Sequence, residues 1–362
     1  MPPRRPSESS PIASQVEALD RKLIELLQER GRLALEAQKQ ADSSVIKVHD
    51  ATGEQQILDR VGKVAAEPFS APAMQSIFRE VLSACRALAT PLRVAYLGPP
   101  YSYSHSAALE RFGQSVEYVP VGTIPAVFEE VSAKQSDYGL VPIENSTDGR
   151  IVDTLGMFHR LPVRICGDVP LRIHHCLLSN SPRAEIREVH SKPQALSQCR
   201  EWLAKHLPGV KLVENSSTTA AAELASRTPG VAAIAGKMAA TAYGVSIVAA
   251  NIEDNPNNIT RFAVLGHTSG ESTGEDKTAL MMQLPHRPGS LADAMNTFKK
   301  ARLNMTWIES FPLPGTEKEY LFFVELEGHE KDLRVRRALK SLQKKTVRLE
   351  VLGSYAKMAP VG

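Results

Sequence analysis

Residues 92–112 read LRVAYLGPPYSYSHSAALERF. Apolar side chains crowd the first six positions, Gly98, Pro99 and Pro100 break the chain, and Ser104 to Phe112 has a helical pattern. A short buried strand that turns directly into a helix is the building unit of an α/β sheet. Further strand-like runs lie at 138–143, 172–178, 231–235, 246–250 and 262–265, with helical runs near 124–133, 151–161, 193–206 and 218–227 between them. Alternation sustained over roughly 175 residues predicts a mainly parallel α/β domain, 91–266, in two lobes.

Upstream the pattern differs. Val16, Leu19, Leu23, Leu26, Leu33 and Ala37 follow a three-four spacing, the mark of a long amphipathic helix whose seam also carries Arg30. Helical runs at 54–65 and 74–88, punctuated by Pro68 and Pro72, complete an all-α module over 12–90. A Pro/Ser-rich leader, 1–11, is expected to be disordered. Downstream, HTSGESTGEDK (267–277) reads as a linker, and 278–357 follows a βαββαβ order, which predicts a ferredoxin-like module. The fold class is therefore multidomain, with an all-α module, a two-lobed α/β domain and a ferredoxin-like end.

Composition narrows the partners. Forty-three Lys and Arg against 40 Asp and Glu leave a formal charge of +3, too small to make nucleic acid or an anionic membrane the default partner. The basic run 331–345 reads as a solvated helix face. Cys85, Cys166, Cys176 and Cys199 have neither zinc-type spacing nor the pairing of a disulfide framework, so no metal is expected. The N-terminus lacks the apolar segment of a secretory signal, and 230–250 is too weakly apolar to insert into a bilayer. A cytoplasmic, small-molecule-binding protein is expected.

Two polar clusters could carry chemistry. Val141 to Gly149 (VPIENSTDG) runs an apolar strand into Glu144, Asn145, Ser146, Thr147 and Asp148, read as capping residues before a helix. Asn257 to Phe262 (NNITRF) places a carboxamide, the Thr260 hydroxyl and the Arg261 guanidinium at the start of another strand. Strand ends that open onto helix N-termini bind anions, because unpaired N–H groups point outward there.

Glu144-Asn145-Ser146 followed by Thr260-Arg261-Phe262 resembles the paired signature motifs of prephenate dehydratases, and SKPQALSQC (191–199) resembles a third block of that family. The all-α module is similar to an AroQ-type chorismate mutase, and 278–355 to the ACT domain. In this order they resemble the bacterial bifunctional P-proteins. The resemblance implies a periplasmic-binding-protein-like dehydratase domain that converts prephenate to phenylpyruvate without a cofactor. Thr260 would contact the departing hydroxyl. Glu144, Asn145, Ser146, Ser191 and Gln198 would line the pocket; on the chemistry of the residues, Arg261 or helix N–H groups are expected to bind a carboxylate, and Thr147, Ser102 and Ser104 to bind substrate. Where the family has Gly-Thr-Phe-Ser, this chain has Tyr101-Ser102-Tyr103-Ser104. If the lost glycine had positive φ, Tyr101 would strain the loop. Lys192 stands where a histidine is common.

In the C-terminal module, Gly289, Ser290 and Leu291, with Glu309 and Ser310, resemble the phenylalanine-binding motifs of the regulatory domain. Phe311 replaces a preferred arginine. L-Phenylalanine is thus the expected effector. Arg30, Lys39, Asp50 and Glu54 match or neighbour the mutase's charged positions, but Ala13, Ala41 and Gly53 replace expected cations. The module is accordingly expected to be a degenerate, structural or dimerising remnant, with a fully bifunctional enzyme acting also on chorismate as the alternative. A homodimer or homotetramer is expected. A non-catalytic small-molecule sensor is the competing class.

Overall fold

A computed structural model describes residues 11–40, 51–89, 91–147, 149–313 and 319–362. The leader up to residue 10, Asp50 and Asp148 lie outside them. The chain divides into two compact units, residues 1–92 with 112–116 and residues 93–111 with 117–362.

The first unit has three helices among its described residues, α1 (Pro11–Gln40), α2 (Ala51–Val64) and α3 (Ala71–Ala87). Ser70 caps α3 by accepting from the N–H of Ala73, with Pro72 in the first turn, where a missing N–H costs nothing. At Gly31 a Cβ would stand 3.1 Å from Leu88 Cδ1, so a small residue lets α1 approach the end of α3. Buried Ser83 donates to the carbonyl of Phe112 at 2.8 Å and accepts from Ser115 N–H at 3.1 Å. The predicted stripe of α1, including Val16, Leu19, Leu23, Leu26 and Leu33, is exposed.

The second unit begins β1 (Arg93–Leu97), α4 (Tyr103–Phe112), β2 (Glu117–Val121), α5 (Ile124–Ser132), β3 (Tyr138–Asn145), β4 (Gly149–Arg150), α6 (Val152–Phe158) and β5 (Arg164–Arg172). The second lobe follows with β6 (Cys176–Leu178), β7 (Glu188–Ser191), α7 (Pro193–Gln198), α8 (Arg200–His206), β8 (Lys211–Glu214), α9 (Thr218–Arg227), β9 (Val231–Ala235), α10 (Lys237–Tyr243) and β10 (Ile247–Ala249). The chain then returns along β11 (Ile259–Gly266) and ends with β12 (Asp276–Gln283), α11 (Ser290–Ala301), β13 (Met305–Pro312), β14 (Tyr320–Glu327), α12 (Leu333–Gln343) and β15 (Arg348–Ala356).

Both lobes hold mixed sheets rather than mainly parallel ones. The first has the order β2-β1-β3-β11-β5 with β4 beside β3, and the second β10-β6-β9-β7-β8. β5 carries the chain out of the first sheet and β11 carries it back, so the two run antiparallel, Ile259 opposite Arg172. That return strand lies antiparallel to β3 as well. The half-exposed edge strands β2 and β8 have no continuous apolar run, which is why the sequence pattern missed them. The expected strand 172–178 splits, with β5 ending at Arg172 and β6 starting at Cys176.

The third sheet, β13-β14-β12-β15, has the expected βαββαβ order. One face packs Leu280, Val324 and Leu326 against Ala294 and Phe298 of α11 and Val335 and Leu342 of α12. The other face shares a core with the first sheet, where Met281, Leu321 and Phe323 join Ile165 and Leu265. The approach is close: a Cβ on Gly353 would lie 2.0 Å from the Ile165 carbonyl oxygen. The linker is tied down, since the Asp276 carboxylate accepts from the N–H groups of Thr273 and Gly274. No helix among the described residues is long and apolar enough to cross a membrane.

Candidate active site

The two polar motifs meet as neighbouring strands. In the β3–β11 ladder Thr260 lies opposite Asn145 and Arg261 opposite Glu144. Successive strand residues face opposite sides, so each motif is divided between two faces of one sheet. On one face Asn145 Nδ2 donates to Thr260 Oγ1 at 2.7 Å; on the other Arg261 Nη1 donates to Glu144 Oε2 at 3.1 Å. The ladder then shifts register, because Phe262 pairs with Pro142 and Ile143 is passed over. Proline has no N–H to offer a ladder, and such bulges re-aim side chains beside functional sites.

β4 pairs antiparallel with the end of β3, Asn145 opposite Gly149 and Glu144 opposite Arg150. Ser146 and Thr147 therefore do not cap a helix as expected. Ser146 instead joins the strand ends, accepting from Ile259 N–H at 2.9 Å, and Thr147 N–H donates to Asn145 Oδ1 at 2.9 Å. That bond fixes the Asn145 amide with its NH₂ toward Thr260 and Asn258.

Thr260 and Asn145 open onto a cleft of about 1160 Å³ between the lobes, lined also by Ser102, Ser104, Gln198 and the start of α9. A polar chain crosses its floor. Asn145 Nδ2 donates to Asn258 Oδ1 (3.1 Å), Asn258 Nδ2 to Gln198 Oε1 (3.0 Å), and His175 Nε2 meets the same oxygen at 2.9 Å. With Gln198 presenting its oxygen, His175 must carry its proton on Nε2. Its Nδ1 can then accept from the Tyr103 hydroxyl, 2.8 Å away. Burial lowers the His175 pKa, partly offset by the Gln198 bond, and burial raises that of Tyr103 well above its ordinary value. His175 lies in no motif that the sequence offers, whereas Tyr103 and Asn258 stand inside the quoted stretches 101–104 and 257–262 without a role assigned to them there.

Several expected site residues lie elsewhere. Ser191 is fully buried and donates to the Ile234 carbonyl at 2.6 Å, inside the second lobe. Glu144 and Arg261 are absent from the cleft wall, because strand alternation turns them to the opposite face. There the Arg261 guanidinium is engaged by Glu144, by Asp168 of β5 at 2.8 Å and by Glu325 of β14 at 2.7 Å. It is therefore occupied and cannot serve as a free substrate clamp. Among the described lining residues the remaining Lys or Arg is Lys192, at the start of α7 and exposed.

The anticipated strain is present, since Tyr101 has φ 66°. Its N–H donates to His105 Nδ1 at 3.1 Å, and its ring meets Tyr243 edge-on at 5.9 Å. In the third sheet Gly289 has φ 84° before α11, Ser290 is buried and Leu291 is exposed. β13 places Glu309 on the face of Trp307 and Phe311, while Ser310 falls on the alternate face. Phe311 is core. In the first unit Arg30 and Lys39 lie on α1, and Glu54 of α2 pairs with Arg86 of α3 at 2.5 Å.

Comparison with known proteins gives the family of the chain. The family model for prephenate dehydratase matches residues 94–270, and that for chorismate mutase type II matches residues 12–90. A bifunctional chorismate mutase/prephenate dehydratase of Aquifex aeolicus is 39% identical over 97% of this chain and 98% of its own length. The crystal structure of an Arthrobacter aurescens prephenate dehydratase in complex with L-Phe has a TM-score of 0.69 at 31% identity, covering 74% of this chain and 90% of that one. A protein described as a quorum quenching acylase, GqqA, has a TM-score of 0.67 at 27% identity, covering 74% and 98%. The match across 12–90 leaves the expectation of a degenerate N-terminal module without support. On these grounds the chain belongs to the bifunctional chorismate mutase/prephenate dehydratase family.

Proposed function

We propose that the protein is a bifunctional enzyme of phenylalanine biosynthesis, whose first unit converts chorismate to prephenate and whose cleft converts prephenate to phenylpyruvate. The observation that carries the dehydratase reading is the Asn145–Thr260 bond on the cleft wall. In the reaction the ring carboxylate leaves as CO₂, its bonding electrons enter the ring, and the C–O bond opposite breaks. The departing hydroxide must take a proton. Thr260 accepts from Asn145 and so has its own O–H free to donate toward that oxygen. The gain of aromaticity drives the step, so the demand on the protein is positioning and one well-aimed donor.

Lys192 and the N–H groups at the start of α9, where Ser217 is the cap, offer positive potential for the substrate's carboxylates. Ser102 and Ser104 add hydroxyls on the first lobe. The third sheet is read as the ACT regulatory domain, taking L-phenylalanine at Gly289, Ser290, Leu291, Glu309 and Ser310. The exposed stripe of α1 supports assembly into a homodimer or homotetramer. Mixing the full-length protein with prephenate at neutral pH tests the central reading. Growth of phenylpyruvate absorbance is the expected result, whereas binding without turnover would make the protein a sensor.

A further inference from the structure

Directly behind Thr260, on the far side of the sheet, lies a buried charge cluster that belongs to two domains. Glu325 of β14 is fully buried. Its Oε2 accepts from Arg261 Nη2 at 2.7 Å and from the Tyr355 hydroxyl at 2.9 Å; its Oε1 accepts from Lys277 Nζ and from Thr306 Oγ1, both at 2.8 Å. Every donor but Arg261 comes from the third sheet or its adjoining strands. Arg261 is the residue after Thr260 and sits at the last matched pair before the β3–β11 register shift.

We infer that Glu325 is a positioning residue for the dehydratase: from the third sheet it holds Arg261, and through the backbone of β11 it sets where the Thr260 hydroxyl stands in the cleft. The inference rests on the dehydratase reading. A carboxylate gripped by four donors is a rigid anchor, and a side chain on the opposite face of a bulged strand is a lever on its neighbour. Fastening two domains is a poor explanation for these charges. Well-packed apolar residues dock two sheets at least as well as buried ions do, and here one Asp168 oxygen is buried with no hydrogen-bond partner among the described residues. The Arg261 guanidinium also lies over the Trp307 ring, 5.7 Å from its centroid, which adds a second contact from the third sheet to the same lever.

The test compares full-length wild type with Glu325→Gln, which keeps the shape and removes the charge. Prephenate turnover is followed well below the melting temperature. Glu325→Gln is expected to lower kcat about ten-fold or more with KM within about two-fold, because sub-ångström misplacement of the donor affects the chemical step and not the carboxylate grip. Thr306→Val loosens the same carboxylate without touching Arg261 and should give a smaller loss with the same split; it decides the matter if Glu325→Gln does not fold. A lowered melting temperature with kcat unchanged in either folded variant would show a fastening only and overturn the inference. Absence of turnover by wild type would instead overturn the dehydratase reading.

Discussion

The carboxamide of Asn145 donates to the hydroxyl oxygen of Thr260 across 2.7 Å, and the direction of that bond is fixed because Asn145 Oδ1 already accepts from the N–H of Thr147. Thr260 is thereby left with a single proton to give. Replacing it by valine keeps the β-branched shape that suits the strand and removes only the hydroxyl. Thr260→Val should lower kcat by about 10²-fold or more, with KM little changed, and Thr260→Ser should restore most of it. Steady-state formation of phenylpyruvate measures both; wild-type turnover in the valine variant would remove Thr260 from the chemistry.

With Arg261 committed behind the sheet, Lys192 is the cation among the described lining residues that is available to the substrate. A charge-assisted hydrogen bond contributes ~1.5–3 kcal/mol, so Lys192→Met should raise KM for prephenate by about ten-fold or more and alter kcat far less. The wild-type KM should also rise with added salt more steeply than that of the variant. Equal KM values would place the carboxylate grip elsewhere.

Tyr101 holds a left-handed backbone conformation, φ 66°, that only glycine adopts without cost. Glycine and alanine both delete the ring and its contact with Tyr243, so their comparison isolates the backbone. Tyr101→Gly should be more stable than Tyr101→Ala by about 1 kcal/mol, the reverse of their usual order. Urea unfolding of the two variants measures the difference, and alanine proving the more stable would mean the loop relaxes out of this conformation.

The order of elements was legible because each stretch has its own period: three-four spacing over Val16 to Ala37, strand–helix alternation after Leu92, and βαββαβ after Lys277. The site was legible only in part. Glu144 and Asn145, like Thr260 and Arg261, were read as one cluster because they adjoin in sequence, yet a strand turns neighbours to opposite faces. Period two, applied to the motifs themselves, would have separated them. The same period would have set Asn258, two residues before Thr260, beside it, but nothing comparable could have found Tyr103 or His175. Their relation to Asn258 exists only once α4, the segment between β5 and β6, and the turn before β11 meet at the cleft floor.

For the first unit, the match of residues 12–90 to chorismate mutase type II makes Arg30 the informative position. It is half-buried on α1 beside Gly31, and a rearrangement that develops negative charge depends on fixed cations. In the full-length chain Arg30→Ala should reduce chorismate consumption by about 10²-fold or more while prephenate turnover stays within about two-fold. Unchanged chorismate consumption in the variant would take Arg30 out of that chemistry, and none in wild type would restore the remnant reading.

The cluster behind Thr260 has a pH signature whose sign follows from its two unlike carboxylates. Burial alone would raise Glu325, but Arg261 and then Lys277 pull it down to about 2. Its folded value thus lies below its ordinary one, so its stabilising contribution is complete above pH 4.5 and is lost as the pH falls from there toward 2. Asp168 behaves oppositely: burial raises its pKa more than Arg261 lowers it, so burying its charge costs stability as the pH rises through the folded value. The stability of wild type over Glu325→Gln should therefore shrink by about 3 kcal/mol between pH 5 and pH 2. Asp168→Asn should gain on wild type as the pH is raised. Urea unfolding of the three proteins from pH 2 up to neutral pH reads both slopes, and a difference between wild type and Glu325→Gln that did not change with pH would show that Glu325 is not held as an anion by Arg261 and Lys277.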